Sequence, residues 1–274
     1  MRWTLDDIAW QRFDAVKVDC DLIKVVKTAA LVEANSADYV TYLKNVFPED
    51  ADFCAAIEQW GAEEAQHGAS LGRWAEMADP DFSFEEALRV FRAGYQLDLD
   101  TGDSVRGSRL AELIARSVVE SGTSSFYSAI RDASAEPVLK QIAHRIAADE
   151  FAHYQLFQRH LKHYEASERL NRMKRLHVAV TRVQEAEDEE LAYAYFAANV
   201  QRDQPGAVFD CSACSAAYYR LAMHLYEERH IENATRMILR AANFDPDSKI
   251  ADFAARGFWR FVQYKRERMA KLAA

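Results

Sequence analysis

Two Glu-x-x-His motifs offer the most specific chemistry in this sequence of 274 residues. The first is Glu64-Ala-Gln-His67 and the second is Glu150-Phe-Ala-His153. Residues three apart lie on the same face of an α-helix, so each motif can direct one carboxylate and one imidazole at one metal ion. One such motif carries little weight in a chain with eight histidines, so the interpretation depends on what accompanies the pair.

Two lone glutamates, Glu33 and Glu120, have small or apolar neighbours at helical spacing. The neighbours of Glu33 are Val26, Ala29, Ala30, Ser36, Ala37 and Val40, and those of Glu120 include Leu113, Ser117, Thr123, Ser124 and Tyr127. A charged carboxylate in such surroundings is costly unless it is paired, hydrogen-bonded or bound to a cation. Both glutamates are therefore candidate metal ligands.

Four carboxylates and two imidazoles on four helices form the ligand pattern of the di-iron carboxylate proteins. The predicted ligands are Glu33, Glu64, His67, Glu120, Glu150 and His153. Oxygen and imidazole donors without a thiolate favour two iron ions, with manganese as the alternative, over a structural zinc. The alternative without metal is a salt-bridged core network or a set of solvated helix faces. A third motif, Glu227-Glu-Arg-His230, has no matching glutamate helices and is interpreted as a chance occurrence.

Apolar residues at helical spacing predict an all-α fold. The composition agrees, because nine glycines and five prolines are too few for the turns of a β-sandwich or barrel. Four long helices are predicted over residues 18–47, 50–77, 104–133 and 136–165, with a shorter segment over 82–97. The four glutamates are 31, 56 and 30 residues apart in chain order, so antiparallel neighbours would meet near their middles. Residues 1–165 are thus predicted to form a ferritin-like four-helix bundle with a di-metal centre.

Residues 166–274 are predicted to be a C-terminal extension of helices packed on the bundle. These helices are expected over 167–203, 211–231, 233–243 and 247–271. Residues 218–246 loosely resemble one tetratricopeptide repeat, but a single repeat is not stable alone, so docked helices are favoured. The extension also contains Cys211-Ser-Ala-Cys214, a lone pair that is interpreted as small hydrophobic residues at a helix start.

Charge and composition exclude several classes of protein. The formal charge of −9 disfavours a general nucleic-acid surface. Four unevenly spaced cysteines do not predict a disulfide framework, and the first residues contain no apolar signal region, so a cytoplasmic protein is expected. No stretch approaches the roughly 18 apolar residues that a membrane span requires.

The motif strings resemble those of the ferritin-like di-iron superfamily, and within it the soluble acyl-carrier-protein desaturases and related di-iron oxygenases. The strings are Trp60-Gly-Ala-Glu-Glu-Ala-Gln-His-Gly68 and Ala147-Ala-Asp-Glu-Phe-Ala-His153. They are similar to the desaturase signatures Trp-x-x-Glu-Glu-x-x-His-Gly and Ala-x-Asp-Glu-x-x-His, and the likeness covers residues 18–165. The spacing of the glutamates is closer to that of aldehyde-deformylating oxygenases and rubrerythrin-like proteins.

The resemblance implies a role for each residue of the site. Glu33 and His67 would be terminal ligands of one iron, Glu120 and His153 would be those of the other, and Glu64 and Glu150 would bridge. Thr123 would lie beside the dioxygen pocket, and Asp149 would be a hydrogen-bond partner of a ligand histidine. The family's electron route includes a tryptophan, for which Trp3 and Trp10 are the candidates here.

The function implied is dioxygen activation to hydroxylate, desaturate or cleave an apolar, fatty-acyl-like substrate. An external electron donor such as a ferredoxin is expected, because the sequence has no Gly-x-Gly-x-x-Gly fingerprint and no paired Cys-x-x-Cys set. Iron storage or peroxide removal without an organic substrate is the alternative function, and a structural protein with a vestigial site is a third. A carrier protein could dock on basic residues of one predicted helix, although a solvated charged helix is the favoured interpretation; these residues are Arg169, Arg172, Lys174, Arg175 and Arg182. Dimers are common in the family, which leaves a homodimer open.

Overall fold

The computed structural model describes residues 2–99, 101–185 and 189–273, and every regular element in these ranges is helical. The α-helices are α1 (Cys20–Ala34), α2 (Ser36–Val46), α3 (Ala51–Ala78), α4 (Phe84–Gly94), α5 (Arg109–Ala133), α6 (Pro137–Tyr164), α7 (Arg172–Gln184), α8 (Glu189–Tyr195), α9 (Cys211–Met223), α10 (Glu228–Ala241) and α11 (Lys249–Ala273). The predicted all-α class is confirmed for this part of the chain.

The long helices begin at strong capping residues. Asp50, Ser108 and Glu136 precede α3, α5 and α6, and their side chains accept hydrogen bonds from amides of the first turn. Such bonds satisfy donors that have no partner within the helix. Pro137 occupies the first position of α6, where its missing N–H carries no penalty.

The predicted helix over residues 18–47 is wrong as a single element, because the chain divides into α1 and α2 at Asn35. Asn35 has φ −90° and ψ 13°, and the hydroxyl of the next residue, Ser36, donates to the carbonyl of Gly61 on α3 at 2.9 Å. Asn and Ser side chains compete for backbone hydrogen bonds, so an Asn-Ser pair can interrupt a helix without glycine or proline. The break lies two residues after Glu33.

Other boundaries also differ from the prediction. α5 begins later than predicted, because Gly107 adopts a φ of 84° and Ser108 caps the helix. Over the predicted helix 167–203, the described residues instead form α7, α8 and a π-helical segment, Phe196–Val200, and residues 186–188 lie outside the described ranges. The predicted break at residue 232 lies inside α10. The chain instead leaves helical structure just before Glu227, whose N–H donates to Nδ1 of His230 at 3.0 Å.

Two apolar clusters fill the interior at successive levels of α3 and α6. Phe53 and Ile57 on α3 belong to the same cluster as Phe157 on α6. Leu71 on α3 belongs to the other cluster together with Ile146 on α6. The Glu-x-x-His motif of each helix falls between these levels, and the opposite order of the clusters along the two helices requires them to run antiparallel. The motifs therefore face each other inside an apolar interior.

The helices after residue 166 pack against helices that carry predicted metal ligands. α7 and α10 contact α5, α8 contacts α1, and α11 rests on α9 and α10. Tyr154 on α6 donates a hydrogen bond to the carbonyl of Met237 on α10 at 3.0 Å. None of the described helices combines the length and the apolar content of a membrane span.

Candidate metal centre

The six side chains predicted as metal ligands converge between the two apolar clusters. They are Glu33 on α1, Glu64 and His67 on α3, Glu120 on α5, and Glu150 and His153 on α6. Five of them are buried, and the side chain of Glu33 is 10% exposed. The structure thus brings together residues that span 120 positions of the sequence, while metal binding by them stays a prediction.

The six residues form two overlapping groups that could each hold a metal ion. One group is Glu33, Glu64, His67 and Glu150, and the other is Glu64, Glu120, Glu150 and His153. Within each group, one ligand atom per residue lies within 4.8 Å of all the others. Each group has one carboxylate and one imidazole that the other group lacks, and the carboxylates of Glu64 and Glu150 are common to both.

The two shared carboxylates divide their oxygens between the histidines. Glu64 places Oε2 3.0 Å from Nδ1 of His67 and Oε1 3.1 Å from Nδ1 of His153. Glu150 places Oε1 3.2 Å from the first of these nitrogens and Oε2 3.7 Å from the second. A carboxylate with one oxygen directed at each of two positions has the geometry of a bridging ligand.

Three buried polar atoms of the cluster lack an aligned hydrogen bond, which fits the predicted cations. Oε2 of Glu120, Oε1 of Glu150 and Nδ1 of His153 are buried and have no aligned hydrogen-bond partner among the described residues. Leaving a buried polar atom unsatisfied costs about 1–3 kcal/mol, and more for a charged group. Bound cations would satisfy all three atoms, because carboxylate oxygens and neutral imidazole nitrogens are the ligands that iron and manganese accept.

The charges of the cluster also call for cations. Burial and the neighbouring carboxylates of Glu64 and Glu150 raise the pKa of Glu33 well above its ordinary value. Burial likewise raises the pKa of Glu120. Burial opposes protonation of the two histidines, but the carboxylates around them raise both pKa values well above the ordinary range. Protons thus balance the cluster in the absence of metal, and two divalent cations would balance its four carboxylates with both imidazoles neutral.

An acidic residue holds the far nitrogen of each histidine. Oδ2 of Asp149 lies 3.1 Å from Nε2 of His67, and Oε2 of Glu63 lies 2.9 Å from Nε2 of His153. Such contacts fix the imidazole tautomer with Nδ1 free to bind metal. Burial alone would raise the pKa of Glu63, but hydrogen bonds from His153 and Gln59 lower it to about 2, so this carboxylate stays ionised.

Asp149 occupies the position that the family resemblance implied, whereas Glu63 was not predicted. The sequence nevertheless contains a signal for the role of Glu63. Glu63 directly precedes Glu64 just as Asp149 directly precedes Glu150, so an acidic-Glu-x-x-His string occurs twice in the chain. Each acidic residue serves the histidine of the other motif, which ties α3 to α6 in both directions.

Two hydroxyl groups contact ligand carboxylates. Oγ1 of Thr123 donates to Oε2 of Glu150 at 2.8 Å, so this predicted residue lies directly against a shared carboxylate. The phenol of Tyr127 donates to Oε1 of Glu33. Burial and the charge of Glu33 raise the pKa of Tyr127 well above its ordinary value, which keeps the phenol protonated. The sequence placed Tyr127 on the face of Glu120 but gave it no role.

Trp3 reaches the cluster through Asp149. Nε1 of Trp3 donates to Oδ2 of Asp149 at 2.6 Å, the same oxygen that lies beside Nε2 of His67. The indole is 4% exposed, and its ring is stacked on the imidazole of His67 at an interplanar angle of 10°. Trp10, the other candidate, donates instead to the carbonyl of Leu5.

The remaining motifs lie outside the two groups. Nε2 of His230 is 3.0 Å from Oδ2 of Asp132, so the third Glu-x-x-His motif serves contacts between α10 and α5. Cys214 is buried in an apolar cluster, and burial raises the pKa of its thiol, whereas Cys211 is exposed. Arg175 on the basic helix is buried in an ion pair with Glu165 at 2.5 Å and is not available for docking.

Neither of two comparisons with known proteins finds a relative of this chain. No protein-family model matches the chain, and a search of curated proteins finds no match. The assignment of a function therefore depends on the cluster of buried carboxylates and histidines and on the residues around it.

Proposed function

We propose that this chain is a ferritin-like di-iron oxidoreductase that activates dioxygen to oxidise an apolar, fatty-acyl-like substrate. Helices α1, α3, α5 and α6 would form the four-helix bundle, and two iron ions would be the cofactor. The observation that carries the proposal is the pair of overlapping groups with two carboxylates in common, each turning one oxygen towards each histidine. Two divalent metal ions held about 3.5–4 Å apart are a recurrent catalytic arrangement, and carboxylates with Glu-x-x-His motifs on facing helices are known to hold such a pair.

In this proposal Glu64 and Glu150 would hold both ions, Glu33 with His67 would complete one ion site, and Glu120 with His153 would complete the other. The iron pair supplies the redox chemistry towards dioxygen when it is bound. Asp149 and Glu63 hold the imidazoles in the tautomer that presents Nδ1. Such outer partners orient ligands and raise their basicity.

Thr123 is a positioning residue in this scheme. Its hydroxyl donates to Oε2 of Glu150 and also contacts the carbonyls of its own helix, so it restrains a shared carboxylate that would otherwise rotate. The apolar clusters above and below the site exclude water, which strengthens electrostatic interactions inside and protects reactive species from side reactions.

The proposed chemistry consumes electrons, so we propose an external donor such as a ferredoxin. Trp3, Asp149 and His67 form a continuous contact path from the N-terminal segment to one ion site. Arg2 beside it pairs with Oδ1 of Asp149 at 3.0 Å and has a side chain that is 53% exposed. This path supports electron entry on the side of Trp3.

Substitution of Trp3 by phenylalanine should slow reduction of the loaded site while leaving its metal content intact. The change removes the indole hydrogen bond to Asp149 but leaves Asp149 itself against His67, so we expect a reduction rate lower by roughly tenfold at unchanged metal content. Trp10→Phe is the matched control, because the indole of Trp10 donates to the carbonyl of Leu5 instead. Stopped-flow reduction by a chemical or ferredoxin donor measures both variants. Equal rates in Trp3→Phe and in the unaltered protein would exclude the path.

The proposed function is tested by metal analysis followed by reaction with dioxygen. Elemental analysis of the purified protein should find two irons per chain. The anaerobically reduced, iron-loaded protein should then give a transient coloured species on a pulse of dioxygen, and fatty-acyl compounds should shorten its lifetime. Accumulation of ferric mineral without any effect of acyl compounds would favour iron handling instead. If neither the purified protein nor the iron-loaded protein contains stoichiometric metal, the proposed di-iron site is wrong.

A further inference from the structure

Helix α11 has apolar residues on two opposite faces. The inner face carries Ala251, Ala255 and Val262, which are buried against the rest of the protein. Arg266 fixes the same helix by donating to the backbone carbonyls of Tyr226 and His224, which follow α9. The helix is therefore docked along one side, and the opposite side faces solvent.

The solvent side of α11 displays a stripe of large apolar side chains. Ile250 is 66% exposed, Phe253 is 75%, Phe261 is 49% and Tyr264 is 60%. These four residues, which we call the α11 stripe, lie with exposed Gly257 at spacings of three and four residues, the repeat of one helix face. Exposed apolar residues that are scattered singly need no explanation, whereas a contiguous row marks an interaction surface.

Positive charge borders the α11 stripe. α11 contains seven basic and two acidic residues, in a chain whose formal charge is −9. Lys249, Arg256, Arg260 and Arg268 form no ion pair with any described residue. One of the two acids, Asp252, is already engaged by Arg236 at 2.6 Å. An apolar row bordered by uncompensated cations is complementary to a surface that combines anionic groups with an apolar interior.

A second copy of the chain fits this face poorly. A two-fold contact through the stripe would bring the same cations of both copies together, and like charges repel. A stable protein interface also buries about 800 Å² on each partner, from roughly 20–30 residues. The α11 stripe consists of four large side chains on one helix. Its shape and charge match those of helices that lie in a membrane interface with aromatic residues inserted and basic residues at the headgroups.

We propose that α11 docks this protein on an anionic lipid surface, with the α11 stripe inserted among the lipids and Lys249, Arg256 and Arg260 at the headgroups. The long aliphatic stems of these cations can cover apolar surface while their charges stay in water. The inference stands on the exposed face of α11 alone and does not depend on the proposed oxidoreductase activity. It would nevertheless bring the protein to the phase in which apolar acyl compounds accumulate.

The test is flotation of the full-length protein with lipid vesicles. Vesicles in which about a third of the lipid is phosphatidylglycerol should carry the protein, whereas pure phosphatidylcholine vesicles should carry much less. Binding should weaken towards 1 M salt, where the Debye length falls to about 3 Å. Absence of binding to anionic vesicles, or equal binding to both kinds, would overturn the proposal.

Two variants separate the apolar and electrostatic contributions. Phe253→Ser with Phe261→Ser should lower the partition coefficient by roughly a hundredfold, because two aromatic side chains no longer insert. Arg256→Gln with Arg260→Gln should lower it roughly 25-fold on anionic vesicles only. All four residues are exposed, Phe261 by about half, so thermal unfolding should change little and metal content should stay unchanged in both variants.

Matched controls lie on other helices. Met173→Ser removes an apolar side chain that is 69% exposed on α7, and Lys140→Gln removes an exposed cation on α6; neither should change vesicle binding. Equal losses in the controls would show non-specific adsorption. The proposal also fails if the protein does not bind vesicles and Phe253→Ser with Phe261→Ser dissociates a dimer in analytical ultracentrifugation. In that case the exposed face of α11 binds a second copy of the chain.

Discussion

Replacing Glu150 by alanine should abolish the binding of two metal ions by this protein. Glu150 belongs to both candidate groups, and each of its oxygens faces a different histidine, so the substitution removes a candidate ligand from both proposed ion sites at once. The loss of affinity should exceed the roughly 10- to 100-fold that removal of an outer partner causes. Elemental analysis after anaerobic loading with ferrous iron measures the outcome, and Glu64→Ala is expected to match it.

Glu227→Ala is the control for this prediction, because Glu227 belongs to the third Glu-x-x-His motif and lies outside both groups. Its exposed side chain forms an ion pair with Arg229 at 3.1 Å and takes part in the capping box at the start of α10, far from both groups in the chain, so metal content should not change. Circular dichroism should show that Glu150→Ala keeps its helices. Loss of metal in Glu227→Ala, or two metals per chain in Glu150→Ala, would mean that the wrong motifs were chosen.

The convergence of the six residues could be predicted because helical periodicity is a local property. Glu64 and His67 share a face whatever the helix packs against, and the apolar neighbours of Glu33 identify its face as the inner one. Spacing then limits which levels of neighbouring helices can meet. No comparable signal exists for Trp3, which lies 146 residues from Asp149 in sequence. Its position depends on how the short N-terminal turns pack, and periodicity does not describe such turns.

Helix boundaries were predicted less well than helix faces, for a related reason. The break at Asn35 and the start of α10 are decided by single side-chain contacts, from Ser36 to the Gly61 carbonyl and from the Glu227 N–H to His230. Each contact involves a residue type that also occurs inside helices. Local composition therefore did not reveal either boundary.

The site has an approximate internal symmetry, from which the role of Glu63 as a histidine partner was predictable. Each half of the candidate bundle supplies one helix with a lone glutamate and one with an acidic-Glu-x-x-His string. Glu63 supports the histidine of α6, and Asp149 supports that of α3. A role assigned to Asp149 thus implies the same role for Glu63. The two positions differ in that Asp149 also accepts from Trp3, so the group that contains His67 is the one linked to the N-terminal segment.

Gly68 is expected to be as important to the site as a ligand, although it carries no functional group. It follows His67 on α3, where α1 approaches so closely that a Cβ atom would lie 2.6 Å from the backbone nitrogen of Ala34 and 2.9 Å from the carbonyl oxygen of Ala30. Backbone atoms cannot rotate away as a side chain can. A methyl group at this position must therefore push α1 and α3 apart.

Gly68→Ala should thus lower the free energy of unfolding by about 1–3 kcal/mol, as overpacking of a filled core does. It should also reduce metal binding, because Glu33 adjoins Ala34 and would move away from His67. Gly122→Ala on α5 is the matched control: its added Cβ would meet no atom within 4 Å, and the higher helix propensity of alanine should stabilise the protein by up to about 1 kcal/mol. Denaturant unfolding measures the free energy of unfolding of both variants, and elemental analysis measures their metal content. Equal responses at the two glycines would show that the close approach of α1 to α3 does not hold the site together.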